Sequence, residues 1–250
     1  MSGVIQVGIV GRPSTGKSYS IRNLDPKTTF IITPNKKDLP FRGSAAKYQF
    51  LSKKSPKGNR GYCKLLAAVE DEDGKILQKG LIDWIKYVND KRPEIKTIVI
   101  EDITHFFHAR TQEISFRKSK DWGKWGDFAA DVLNAIIDPD LYRDGVRVVH
   151  IYHSEVVEQA GEQISRIMTQ GKALNNKILP SSYYTYMLHT KVLHADEADD
   201  PAEQFWFITN PYDGHDCKSS YGCFPLLVKN DLNSVLDTIE KYRSDESPEE

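Results

Sequence analysis

The chain has 250 residues, 39% of them hydrophobic and 28% charged, with a formal net charge of -1. This is the composition of a globular α/β-sized domain able to bury a substantial core, not of a disordered or collagen-like chain. The near-neutral balance excludes a global basic field, so any nucleic-acid contact must come from a local patch.

Cys63, Cys217 and Cys223 lie far apart and show no CxxC spacing. Reduced thiols in a cytosol are therefore expected, rather than a zinc site or a disulfide framework. No apolar run approaches the roughly 20 residues of a membrane span, so no membrane partner is expected. The first apolar stretch leads straight into a glycine-rich loop instead of a signal-peptide cleavage site.

In chain order, Val4 to Val10 (VIQVGIV) is a short β-branched run that predicts a buried strand. Gly11 to Ser18 is a glycine-rich turn, and Lys17 to Asn23 should open a helix that Asp25-Pro26 ends. Thr28 to Thr33 predicts a second strand. Ser52 to Lys64 is basic and polar enough for a loop. Leu77 to Asp90 has helical spacing through Leu81, Ile82, Ile85 and Val88.

Thr97 to Ile100 predicts a third strand, followed at once by Glu101 and Asp102. Phe128 to Ile137 predicts a helix, and Val146 to Tyr152 a fourth strand with His153 at its tip. Tyr183 to Leu193 and Gln204 to Thr209, joined by an acidic turn around Asp196 to Glu203, predict a β-hairpin. Leu232 to Tyr242 predicts a last amphipathic helix. Early alternation of strands and helices with late antiparallel strands predicts a mostly parallel sheet flanked by helices, with a C-terminal antiparallel β-hairpin extension. Residues 1–243 are expected to form a single domain, and 244–250 an acidic disordered tail.

Gly11-Arg12-Pro13-Ser14-Thr15-Gly16-Lys17-Ser18 reads GxxxxGKS, a phosphate-binding loop in its required strand-to-helix context. Glycines let the backbone wrap phosphate oxygens, and amides and the helix N-terminus point at negative charge. Lys17 is expected to reach the β- and γ-phosphates and Ser18 to ligate magnesium. Tyr19 has two readings, packing near the base or packing in the helix face. Glu101 and Asp102 end a hydrophobic strand, which delivers carboxylates to the sheet edge. One can hold magnesium and the other polarise water, and the spacing leaves open which does which. His153 either senses the γ-phosphate or is a surface histidine. The pairs His105/His108 and His150/His153 invite a metal reading, but no Cys or carboxylate set stands at matching spacing.

Lys53, Lys54, Lys57, Arg60 and Lys64, with Tyr62 among them, form the densest basic stretch. They suit either a phosphate-backbone contact with one stacking ring or a solvated loop. Ser165 to Lys177 is a second basic segment, with Arg166 and Lys172 as candidates for DNA contact or for a cation donated to a neighbouring subunit.

Several segments together resemble a family of bacteriophage RecA-like P-loop ATPases linked to single-strand annealing and recombination. They are IVGRPSTGKSYSIRNLDPKTTFII, DLPFRG, IKTIVIEDITHFF, HIYHSE, TQGKALNNKILP and DCKSSYGCFPLLVKNDL, spanning Val4 to Tyr242. The resemblance implies a RecA-type core, ATP with Mg2+, a homo-oligomer (ring or filament), single-stranded DNA as partner, and the cytoplasm of an infected host cell. It implies phosphate binding by Gly11 to Ser18, an acidic pair at Glu101 and Asp102, and a sensor at His153. It also implies roles for Lys172 and for Lys218, which would face a neighbouring subunit's nucleotide.

Two departures bear on turnover. The resemblance implies Asp where Glu101 stands. It also implies a catalytic Glu just after the second strand, where this chain has Asn35, which cannot act as a base. The expected activity is thus DNA-coupled ATP hydrolysis. The rival is a nucleotide-gated interaction or scaffold protein with little turnover. A small-molecule kinase is a weaker third, because no lid-like run of arginines follows the core helices.

Overall fold

The apolar runs expected to be strands do form, and β-branched alternation explains how they layer. The computed structural model describes residues 3–73, 75–116, 130, 137–169, 180–193 and 204–244. Its strands are β1 (Ile5–Gly11), β2 (Thr29–Thr33), β3 (Arg60–Tyr62), β4 (Val69–Glu70), β5 (Ile76–Gln78) and β6 (Thr97–Ile100). They continue with β7 (Arg147–Gln159), β8 (Glu162–Ile167), β9 (Tyr186–Val192), β10 (Phe205–Ile208) and β11 (Leu227–Lys229). The α-helices bounded within the described residues are α1 (Ser44–Lys47), α2 (Leu81–Lys91), α3 (Ile103–Phe116) and α4 (Leu232–Arg243).

The main sheet runs β11-β10-β9-β1-β7-β6-β2-β3, with β8 paired to the far end of β7 and β4-β5 a separate ribbon. From β9 to β3 every neighbouring pair is parallel. β10 and β11 add the antiparallel edge. This is the mostly parallel sheet flanked by helices, with a C-terminal antiparallel hairpin, that the sequence predicted.

Side-chain alternation divides the core into two layers, because successive residues of a strand point to opposite faces. Val10, Ile32, Ile100 and Val148 pack under Leu81, Ile85 and Val88 of α2 and Ile103, Phe106 and Phe107 of α3. Val7, Ile9, Ile31, Val99 and Ile151 pack against Ile21, Leu24 and the Leu232, Val235, Leu236 and Ile239 stripe of α4. TIVI is buried along its whole length, so its one polar residue, Thr97, is satisfied internally by accepting from Arg147 Nε at 3.0 Å.

Four local readings need correction. Lys17 to Asn23 forms a six-residue 3-10 turn over Ser18–Asn23, not an α-helix. The supposed basic loop contributes β3, parallel to β2 at the sheet edge. The fourth strand does not stop at Tyr152. It runs to Gln159, turns through Ala160 and Gly161 with φ of 54° and 84°, and returns as β8. Left-handed residues at both centres match the twist of a tight hairpin. The sequence also gave no sign of α3. The predicted helix over Phe128 to Ile137 is described only at 130 and 137. The acidic turn 196–203 and the tail 245–250 lie outside the described residues.

Candidate functional site

Parallel strands put their C-terminal ends on one edge, and ligands of open α/β sheets collect there. β7 separates β1 from β6, so Gly11 and Glu101 leave the sheet two strand spacings apart, about 9.5 Å. Between them opens a cavity of about 440 Å³, lined by Pro13, Ser14, Gly16, Lys17, Ser18 and Tyr19 on one wall. Lys37, Asp38, Pro40, Glu101, Asp102, His153 and Phe205 complete it.

The loop has the backbone of an anion cradle. Ser14 and Gly16 hold φ of 63° and 92°, and alternating left-handed residues turn successive amides to one side. Among the described residues, the amides of Ser14, Thr15, Gly16 and Lys17 have no backbone acceptor. Close packing explains the glycines. A Cβ on Gly11 would lie 1.8 Å from Thr190 Oγ1, and one on Gly16 would lie 2.7 Å from the Phe205 ring. Thr190, on β9, locks the loop from beneath. Its hydroxyl bonds Thr15 Oγ1 at 2.5 Å and donates to the Val10 carbonyl at 3.2 Å.

Lys17 is 6% exposed, and its ammonium donates to the Gly11 and Arg12 carbonyls at 2.8 and 2.6 Å. Burial pushes it down to about 8, which Asp102 partly offsets, Lys37 deepens and Glu101 partly offsets. Arg12 and Thr15 turn away from the main cavity and line a neighbouring one with His189 and Thr190. Tyr19 lines the cavity, and it packs on Phe205 with ring centroids 5.4 Å apart, while Arg22 lies 4.3 Å over its face.

The two carboxylates are differently placed. Glu101 is 1% exposed and lines the cavity together with Ser18. Burial raises its carboxyl, the Ser18 hydroxyl pulls it back, and the adjacent Asp102 charge raises it further. The Ser18 hydroxyl and Glu101 carboxylate together are oxygen donors of the kind magnesium takes. Asp102 has φ of 54°. His153 Nε2 lies 3.2 Å from its Oδ1. Asn35 Nδ2 donates to its Oδ2 at 2.9 Å, with Lys37 Nζ at 3.6 Å and His105 Nε2 at 3.9 Å. Burial alone would raise the Asp102 carboxyl. The His153 hydrogen bond, Lys37, and the His153 and His105 imidazoles outweigh it and hold it well below the usual carboxylate range.

Other expected residues lie elsewhere. Arg60 does not face solvent. It is 1% exposed, lies 4.3 Å over Phe50 and donates to the Lys37 carbonyl, so it is a core residue of β3 and not a DNA contact. Tyr62 is covered by Lys36 at 4.5 Å. Lys53, Lys54 and Lys57 are exposed. Arg166, on β8, is paired with Glu155 at 3.2 Å and is not a free cation. Lys172 lies outside the described residues. Lys218 is outside the cavity. Its backbone pairs with Met187 and its ammonium donates to the Ser182 carbonyl at 3.4 Å.

The histidine pairs split. His150 is fully buried between the Tyr142 and Tyr184 hydroxyls, at 3.1 and 2.9 Å. His105 and His153 converge on Asp102. Sequence reasoning missed Lys37, Thr190 and Phe205. Thr190 and Phe205 belong to the hairpin and reach the loop only through β9 lying beside β1.

Among the described residues, no helix is long and apolar enough to cross a membrane. No protein-family model matches the chain, and no curated protein matches it. Among solved structures, the chain is similar to the flagellar accessory protein FlaH from Methanocaldococcus jannaschii. Identity is 12% over 90% of this chain and 83% of that one, with a TM-score of 0.38. A likeness of that degree carries no functional weight, and the fold assignment rests on the strand order above.

Proposed function

We propose that this chain is a magnesium-dependent RecA-like ATPase, and that it couples nucleotide state to single-stranded DNA binding and self-assembly. The observation that carries the ATPase reading is the division of the acidic pair within one cavity. Glu101 is 1% exposed, and the Ser18 hydroxyl of the loop lowers its carboxyl, while Asp102, lining the same cavity, is held by His153 at 3.2 Å. In this reading the loop amides and Lys17 hold phosphates, and Ser18 and Glu101 hold magnesium. Magnesium, when bound, neutralises charge on the β- and γ-phosphates. Asp102 orients the attacking water and takes its proton, and His153 and Asn35 fix the carboxylate. The DNA and assembly parts rest on the family resemblance and on the exposed Lys53, Lys54 and Lys57.

A second reading, a nucleotide-gated switch with little turnover, has an observation of its own. Asp102 already has four partners and is held at low basicity, while the position after β2 is an amide. ATP hydrolysis with magnesium, with and without single-stranded DNA, decides between them. DNA-stimulated turnover that a Lys17→Ala variant lacks supports the ATPase. Tight ATP binding without turnover on any DNA supports the switch.

A further inference from the structure

We propose that Asp102, His105 and His153 form a binding site for a divalent transition-metal ion of the zinc class, separate from the Ser18–Glu101 oxygen pair. The three donor atoms already lie within 4.8 Å of one another. Two donors on a tetrahedral zinc, each about 2.0–2.1 Å from the ion, stand about 3.3 Å apart. His153 Nε2 and Asp102 Oδ1, at 3.2 Å, meet that spacing as they are. His105 Nε2, at 3.9 Å from Oδ2, needs a small side-chain rotation, and its side chain is 49% exposed and has room for one.

The ligand types favour this class of ion. Two imidazoles and one carboxylate suit zinc and its neighbours, whereas magnesium takes oxygen and binds imidazole poorly. The scaffold is rigid where it matters. Asp102 caps the β6–α3 junction, with its carbonyl accepting from the His105 amide at 2.9 Å. The amide of His153 donates to Thr104 Oγ1 at 3.1 Å, tying β7 to the first turn of α3. Asp102 and His153 also line the main cavity, so the remaining coordination positions face it and are open to water or a phosphate oxygen.

Two features oppose the ion. The start of α3 is the positive end of a helix dipole. Lys37 Nζ, 65% exposed on its side chain, stands 3.6 Å from Asp102 Oδ2 as a resident cation. An incoming metal must displace it, which makes Lys37 a tunable competitor. A metal bound here also takes the Asp102 lone pairs that a base needs. That consequence alone rests on the proposed ATPase, and Zn2+ would then inhibit turnover measured in excess magnesium.

The test is titration of the nucleotide-free full chain with Co2+, read by its visible ligand-field absorption. The expected result is saturation at one ion per chain, displaced by Zn2+ and not by excess Mg2+. His105→Ala should weaken binding about tenfold or more, His153→Ala likewise, and Lys37→Ala should tighten it, with His108→Ala as the unaffected neighbour. His105 is half-exposed, so its variant keeps the fold and decides the matter. Unchanged Co2+ binding in His105→Ala, or no ligand-field bands in the parent, would overturn the site. Because no nucleotide is present, that failure is distinct from failure of the ATPase reading, which a Lys17→Ala binding assay reports.

Discussion

Asn35 Nδ2 donates to Asp102 Oδ2 at 2.9 Å, so the residues that follow β2 and β6 meet above the sheet edge. Sixty-seven positions apart in sequence, they form one unit because β2 and β6 are neighbouring parallel strands in register, with Ile32 opposite Ile100. The amide that stands where the family resemblance implies a catalytic Glu is thus a partner of the remaining carboxylate.

Roles for the acidic pair can be separated by isosteric change. Asp102→Asn should lower turnover about 100- to 10,000-fold, the span of a general base, while ATP affinity stays within about threefold. Glu101→Gln should instead raise the magnesium needed for tight ATP binding. Nucleotide titrations across magnesium concentrations, beside single-turnover hydrolysis, check both. A Glu101→Gln variant with normal magnesium dependence would remove the assignment.

Lys17→Ala should weaken ATP binding about 10- to 100-fold, the loss of a charge-assisted contact worth about 1.5–3 kcal/mol. The parent should also show a pH dependence. Lys17 falls from 10.5 in the unfolded chain to about 8 in the fold. The folded state releases its proton first, so the penalty of burying the ammonium is complete below 8. It disappears as pH rises toward 10.5, and the nucleotide-free protein gains stability across that window. ATP affinity moves the other way. It should fall by up to tenfold per pH unit above 8 as free Lys17 loses charge. Calorimetry in buffers of different ionisation enthalpy would show the matching proton uptake.

Gly11→Ala should destabilise the protein by about 1–3 kcal/mol, because the new methyl meets Thr190 Oγ1 at 1.8 Å in a packed interior. Thr190→Ala removes that oxygen, so the double variant should recover part of the loss. Denaturant unfolding of the four proteins gives the coupling. Strict additivity would mean that Thr190 does not support the loop.

If the exposed lysines track a nucleic-acid backbone, replacing Lys53, Lys54 and Lys57 with Ala should lower single-stranded DNA affinity. It should also flatten the slope of log affinity against log salt by about 2. Arg60→Ala should instead cost stability, because Arg60 is buried beneath Phe50. Retention of the full slope in the triple variant would place the DNA contact elsewhere.

The sequence alone determined what depends on neighbours along the chain. GRPSTGKS set the loop's left-handed turns because only particular residue types at fixed spacing allow them. Doubly apolar runs such as TIVI set the central strands because they have no face for water. Strand order in space, residues brought together across the sheet, and exposure were decided by the tertiary structure. Sequence spacing left Glu101 and Asp102 equivalent. Ser18 and the left-handed turn at Asp102 distinguished them. Basic composition made Arg60 look like a surface residue, until β3 took the sheet edge and buried it. Nothing local joins Thr190 to Gly11 or His105 to His153. They meet because β9 lies beside β1 and β7 beside β6, pairings set by long-range burial and hydrogen bonding that no short window of sequence contains.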